Sequence, residues 1–511
     1  MALTFSSISS FILLVWALRR LLNTIASKKR RPYPPGPKPL PLIGNLFDLP
    51  ISNAALVYTE WTKKYNSPIL YAEALGNRIV ILNDLKDVAQ LLENPDRARN
   101  YADRPVIPIV EVMGWSNNVA IMPYGDVWRQ HRRIIQNNFN NPKSVQKLEP
   151  IQTKKVRQLL QGLFNTPEKF EAHSKMFSTS LTISLTHGYE IKSIDEPCVT
   201  MADEALLMGV RLLVPGASLM NVFPVLQHVP EWFPGASARK TAGVIRRMTD
   251  EIVRFPLEYV KQSFEAGTAV PSLVADFYEK MYTIGASEVE EEMIKNVAYT
   301  VYGAASDTTI SFTGSFFYLM AANPQSQRQA HAEIDRVLGS KRLPTLADRD
   351  SLPYLEAMYR EVLRLRPPFP LGVPHKVIED DLYKGYLIPK GTTVFTNMWA
   401  MSRDEVVYPD PDIFKPERYF DAEGKLMDEN LLGYGFGRRI CAGKRLASST
   451  VWLMMASVLA CFEITPRKDK DGNTMEVNGD IEDNGMMNHK ATFECDFHPR
   501  LPDIHKLFME S

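Results

Sequence analysis

Cys441 sits in the run Tyr434-Gly435-Phe436-Gly437-Arg438-Arg439-Ile440-Cys441-Ala442-Gly443. A single thiol between glycines can approach a flat cofactor closely, because glycine lets the backbone turn and pass a ring without a Cβ clash. Arg438 and Arg439 bring positive charge to the thiol and to any acidic group on the cofactor. Residues 445–459 read as a helix, so Cys441 precedes a helix N-terminus. The partial positive charge and free N–H groups of that end favour a thiolate. A lone cysteine is more often a buried structural thiol. That reading accounts for the cysteine but not for the pattern around it.

Three further patterns carry possible chemistry. Glu361 and Arg364, three residues apart, share one face of a helix that is otherwise apolar (Leu355, Met358, Val362, Leu363) and stops at Pro367-Pro368. Most such pairs are solvated surface bridges of little energetic value. Gly303-Ala304-Ala305-Ser306-Asp307-Thr308-Thr309 lies within a helix expected over 289–321. A Ser287/Glu290 capping box opens that helix and Asn323-Pro324 closes it. Small residues followed by Asp-Thr-Thr are weak helix formers. A helix carries them where something must lie against its face, or where helices pack tightly and threonines bond back to the backbone; the residues alone leave both readings open. Trp128 and Arg132, four apart, share a helical face and can both donate hydrogen bonds, although such a pair by itself is more often a surface stacking contact.

In this order, from Trp128 to Gly443, the motifs resemble the cytochrome P-450 superfamily. Its haem-binding loop, Phe-x-x-Gly-x-Arg-x-Cys-x-Gly, is matched at Gly437, Arg439, Cys441 and Gly443, with Tyr434 in place of Phe. The resemblance implies haem b with Cys441 as the proximal iron ligand, whose electron donation favours O–O cleavage. It implies Asp307 and Thr308 as a proton relay to dioxygen, with Ala305 where the family often has Gly. It implies Trp128, Arg132, His375 and Arg439 as partners of the haem propionates. Glu361 and Arg364 resemble the family's Glu-x-x-Arg motif; with Arg418, in Pro416-Glu417-Arg418, they would form a buried cluster supporting the loop from behind. The implied fold is mainly α with a minor β part, a long central helix over the haem and small sheets. The implied activity is a monooxygenase that inserts one oxygen atom from O2 into a lipophilic small molecule, by hydroxylation or epoxidation. The form of the loop and the N-terminus look most like microsomal enzymes of fungi, which points to specialised metabolism such as terpenoid biosynthesis. Electrons would come from NADPH through a separate NADPH–cytochrome P-450 reductase, with cytochrome b5 as a second candidate donor. Two other classes stay open: a haem-thiolate isomerase or peroxygenase that needs no reductase, and a non-catalytic haem-binding protein. NADPH-dependent turnover separates them.

The elements that must position these residues are set by a chain of 511 residues, long enough for a large core and a cofactor. Lys plus Arg and Asp plus Glu are equal at 59 each, so the overall charge does not point to a nucleic-acid partner. Four irregularly spaced cysteines in so long a chain argue against a disulfide framework and suit a reducing compartment. Residues 11–18 are apolar and are followed by Arg19, Arg20 and a basic cluster at 28–31. This predicts an uncleaved single-pass anchor over 1–26 in the endoplasmic reticulum membrane, with the catalytic domain cytosolic. Residues 27–41 form a basic, proline-rich hinge with five prolines between Pro32 and Pro39, and 42–511 form one large catalytic domain. Gly76-Asn77 between apolar runs predicts a β-hairpin, and Asp471-Gly472 a second one. The family's topology would line the substrate pocket with 113–119, 301–305, 371–373 and Met486-Met487.

Overall fold

A computed structural model describes residues 31–213, 218–233, 235–339, 341–428, 431–483 and 485–509. Among them, eleven helices of more than ten residues make up most of the regular structure. They are α1 (Ala54–Tyr65), α2 (Asp126–Phe139), α3 (Pro142–Asn165), α4 (Phe170–His187), α5 (Pro197–Leu213), α6 (Ser237–Glu265), α7 (Leu273–Ile284), α8 (Glu288–Ala322), α9 (Pro324–Leu338), α10 (Pro353–Leu365) and α11 (Lys444–Cys461).

The long helix α8 begins as its sequence predicts. Ser287 Oγ accepts from the Glu290 N–H at 3.3 Å, and the Glu290 carboxylate accepts from the Ser287 N–H at 3.0 Å. Two of the four donors that every helix start leaves unpaired are thereby satisfied. Its C-terminal half is buried, with Phe312, Phe316 and Phe317 in one core cluster with Trp452, Met454 and Val458 of α11. Residues Ser449–Cys461 of α11 are buried without interruption, as expected of a helix that has no solvent face. These two helices form the centre of the molecule; Asp307 and Thr308 sit on α8, and Cys441 lies just before α11.

Among the described residues, ten short strands form the minor β part. In the largest sheet, β1 (Ile69–Ala74) runs antiparallel to β2 (Asn77–Leu82), β2 parallel to β6 (Thr393–Thr396), and β6 antiparallel to β3 (His375–Lys376). The hairpin loop is Leu75-Gly76, one residue earlier than Gly76-Asn77, and both residues have positive φ, 50° and 92°. A two-residue hairpin of this twist needs positive φ at both central positions, and Leu75 accepts it. β4 (Asp381–Tyr383) pairs with β5 (Tyr386–Ile388), and β8 (Ile481–Asp483) with β9 (Asn488–Lys490). The turn at Asp471-Gly472 is closed by an isolated Lys468–Thr474 bridge rather than by a strand pair. The strand before it, β7 (Phe462–Pro466), pairs instead with β10 (Cys495–Pro499).

The proline-rich segment carries no helix, and its described part is docked onto the sheet. Tyr33 stacks on Tyr71 with centroids 4.6 Å apart, and the Pro35 carbonyl accepts from the Tyr71 N–H at 2.8 Å. The expected anchor over 1–26 lies outside the described residues. No helix among the described residues is long and apolar enough to cross a membrane. The expectation of an endoplasmic-reticulum protein held by a single-pass anchor is therefore corrected. The physical reason is length: a hydrocarbon core needs about 20 apolar residues in a helix, and the apolar run at 11–18 is less than half of that.

Ser287→Ala removes one half of the capping box. It should lower stability by about 1 kcal/mol, read as a shift of the denaturant midpoint at unchanged slope.

Candidate functional site

The loop before α11 brings Cys441 to the helix start. The Cys441 N–H donates to the Tyr434 carbonyl at 2.8 Å, which closes the loop on itself. Gly437 has φ +56°, and a Cβ there would lie 2.0 Å from the Leu92 carbonyl oxygen, so this glycine is required by both conformation and space. Tyr434 uses the hydroxyl that a phenylalanine would lack: it lies 2.8 Å from the Tyr359 hydroxyl of α10. The thiol surface of Cys441 is exposed although the surrounding protein is dense enough for burial to raise its pKa above the ordinary value. It therefore faces an opening inside the fold rather than the outer surface. The Gly443 N–H, Arg132 and Lys444 favour the thiolate but do not outweigh burial. The helix start and nearby cations do not by themselves deprotonate this thiol; coordination to a metal would.

Behind the loop, Glu361 is fully buried. Arg364 donates to both its oxygens, at 2.7 and 2.8 Å, and Arg418 Nε donates at 3.0 Å. The Lys415 N–H adds a fourth bond at 2.9 Å. The remaining guanidinium donors reach the carbonyls of Ser402, Pro409 and Asp410 at 2.7, 2.8 and 3.1 Å. The structure thus brings together the three residues predicted to cluster and satisfies their donors.

A second group of cations lacks such compensation. Arg439 donates to the Ala102 and Met122 carbonyls at 2.6 and 2.8 Å, and its Nη1 is buried with no hydrogen-bond partner. Its guanidinium lies 4.2 Å from the centre of the buried Trp128 ring, and that of Arg132 lies 5.3 Å from it. Arg132 donates to the Ile440 carbonyl at 2.6 Å, beside Cys441. Arg104, which the motifs did not single out, is buried here too and donates to the carbonyls of Ala120, Val373 and Pro374. Burial lowers all three guanidiniums, Arg439 to about 10, and repulsion from neighbouring arginines adds to it at Arg104 and Arg439. The nearby carboxylate, Asp103, is already paired with Lys376 at 3.0 Å.

His375 is buried beside them, with Nδ1 2.8 Å from the Tyr101 carbonyl. A carbonyl only accepts, so Nδ1 carries the proton. Burial, Arg104 and Arg439 push its pKa well down, so the ring is neutral and Nε2 is an acceptor. A neighbouring anion would reverse that balance.

On α8, Gly303 and Ala304 are exposed between the buried pairs Thr300–Val301 and Phe312–Thr313. A Cβ on Gly303 would meet nothing within 4 Å. Thr308 Oγ1 donates back to the Ala304 carbonyl at 2.8 Å. Ser306 is bound from α4, its carbonyl by Ser178 at 2.5 Å and its hydroxyl by Thr182 at 2.7 Å. Tight helix packing and an open face therefore coexist on this stretch. Asp307 Oδ1 lies 3.3 Å from His489 Nε2 of β9, a partner that the sequence did not reveal. A thiol facing an opening, an excess of interior cations with a donor left over, and a helix face that leaves room fit a flat, dianionic iron cofactor held through sulfur.

The sequence model of the cytochrome P450 family matches residues 34–492. The chain belongs to the cytochrome P450 family. It is 37% identical over 496 residues to the cytochrome P450 monooxygenase COX2 of Coprinopsis cinerea, covering 95% of this chain and 93% of that one. It is 38% identical over 498 residues to the cytochrome P450 monooxygenase ple1 of Rhodocybe pseudopiperita, covering 96% and 94%. The protein is a haem-thiolate monooxygenase like these fungal enzymes, and its mainly α fold with small sheets is that of the P450 family. Such an enzyme takes electrons from a redox partner and oxygen from O2.

A cavity of about 1010 Å³ in this P450 is lined by Leu371, Gly372, Val373 and Met486 among others. Ile51 and Val106, which also line it, are exposed, so it reaches the surface. Of the segment 113–119 only Ser116 borders it, and 301–305 do not. Val301 and Tyr302 are instead buried among their neighbours.

Glu361→Ala leaves two buried guanidiniums without their anion. It should cost about 3–5 kcal/mol and yield little holoprotein, measured by thermal unfolding and by haem bound per chain.

Proposed function

We propose that the Cys441 thiolate is the axial ligand of haem b, and that Trp128, Arg132, His375 and Arg439 hold its propionates together with Arg104. The observation that carries this is the surplus of interior cations beside the loop that ends at Cys441. Burying like charges together is costly unless an anion joins them. Two carboxylates would satisfy Arg439 Nη1, and their charge would let His375 keep protons on both nitrogens and donate from Nε2. The Glu361–Arg364–Arg418 cluster, on this reading, fixes the chain behind the loop and so the position of the thiol.

When bound, haem supplies the activation of dioxygen; the protein supplies binding, orientation and protons. One oxygen atom goes to the substrate and the other leaves as water, which consumes two electrons and two protons. We assign proton delivery to Asp307 and Thr308. Thr308 Oγ1 must turn away from the Ala304 carbonyl to pass a proton on, and Asp307 Oδ1 must return one to it. The electrons are assigned to NADPH through NADPH–cytochrome P450 reductase, with cytochrome b5 as a further donor. The cavity lining is mostly apolar, which suits a lipophilic small molecule, a terpenoid of specialised metabolism being one such class.

Thr308→Ala should lower product formed per NADPH severalfold with haem content unchanged. Asp307→Asn should lower turnover by about 10²-fold, as loss of a general acid does. Equal coupling in the parent and both variants, measured as product against NADPH and peroxide, would contradict the relay.

A further inference from the structure

The C-terminal hairpin reaches the middle of α8 with two titratable side chains that the mechanism above does not use. His489 and Glu482 are direct partners in the β8–β9 ladder. Side chains of such a pair point to the same face of the sheet. His489 Nε2 lies 3.3 Å from Asp307 Oδ1, and the two side chains are 18% and 22% exposed. Glu482 is exposed and lines the large cavity, as does Asn488. The strand is tied to the helix independently of His489, because Ser311 Oγ of α8 donates to the Asn488 carbonyl at 2.5 Å. Solvent, an exposed carboxylate, a mostly buried imidazole and the candidate relay acid are therefore neighbours in turn.

We propose that Glu482 and His489 form the solvent inlet of the proton path to Asp307, drawing protons from the cavity. The proposal rests on Asp307 acting as the relay acid. An imidazole suits the position because it takes a proton at one nitrogen and releases one from the other. When Thr308 passes a proton on, the Nε2–H bond of His489 breaks and an O–H bond forms on Asp307 Oδ1, and that proton goes on to Thr308. The neutral ring keeps its Nδ1 proton; a ring flip turns the free Nε2 to the cavity, where it takes a proton from water held by Glu482 and leaves Nδ1–H facing Asp307, so one proton enters for each that leaves.

The surroundings favour the charged imidazole. Burial alone would lower its pKa; the hydrogen bond and charge of Asp307, then the charge of Glu482, outweigh burial and raise it. Of the other charged groups nearby, Lys490 points over the rings of Tyr318 and Phe493 at 5.1 and 5.0 Å, away from the pair. Glu171 of α4 feels the charges of Glu482 and Lys490. Asp203 of α5, paired with Lys175 of α4, feels the charge of Asp307.

His489→Gln tests the inlet, because a glutamine amide still donates to Asp307 but cannot pass a proton through. Product per NADPH should fall severalfold in the holoenzyme while thermal stability holds. Coupling in the parent should decline as pH rises through the His489 pKa, and this decline should vanish in the variant. Independently of turnover, a ¹³C-histidine NMR titration of the reduced, carbon monoxide-bound holoenzyme should show a resonance, missing in His489→Gln, with a pKa above 6.5. That pKa should fall in Asp307→Asn and in Glu482→Gln. If Asp307→Asn uncouples the enzyme while His489→Gln matches the parent at every pH, the inlet is wrong and the relay stands. If neither variant changes coupling, the relay fails and the inlet with it. A His489 pKa at or below 6.5 in the parent overturns the charged pair.

Discussion

Three guanidinium groups, those of Arg104, Arg132 and Arg439, are gathered inside this protein around one carboxylate that is already paired with Lys376. That imbalance is the constraint on which the rest of the site depends. Their donors are spent largely on carbonyls from distant parts of the chain, Ala102, Ala120, Met122, Val373 and Ile440. The cations thus knit the loop before α2, the segment before β3 and the cysteine loop into one wall. A wall held together by like charges is stable only with an anion against it, so folding of this region and binding of an acidic cofactor are one thermodynamic event.

The opposite case stands behind the same loop. Around Glu361 one carboxylate binds both guanidiniums, and each of its oxygens is occupied. One cluster is closed and structural, the other open and receptive, although both are made of buried arginines. What separates them is where the one carboxylate is spent, Glu361 on both of its arginines and Asp103 on Lys376, which no single motif discloses. The Cys441 thiol belongs with the open cluster: burial raises its pKa, and Arg132 alone among the three arginines acts against that.

Much of the frame was legible in the sequence. The capping box at Ser287–Glu290, the hairpin near Gly76 and the helix after Cys441 are local features, set by side-chain chemistry and spacing within a few residues, and they formed where local rules put them. The grouping of Glu361, Arg364 and Arg418 was legible only through family likeness, since Arg418 is far away in the chain. Arg104 and His489 were not legible at all. Their importance comes from tertiary neighbours 269 and 182 residues away, Val373 and Asp307, and nothing beside them in the sequence signals it. The anchor was over-read because an apolar run followed by arginines satisfies the charge rule without satisfying the length rule. The turn at Asp471-Gly472 misled for a similar reason: a good turn does not guarantee that the flanking chain pairs with itself.

The central claim is that Cys441 holds the haem iron as a thiolate. Its most direct test is the carbon monoxide difference spectrum of the reduced protein, recorded beside Cys441→Ala. A strongly red-shifted Soret band in the parent that is absent in the variant is the predicted result. A band typical of histidine-ligated haem in the parent, or the same red-shifted band in both proteins, would contradict it.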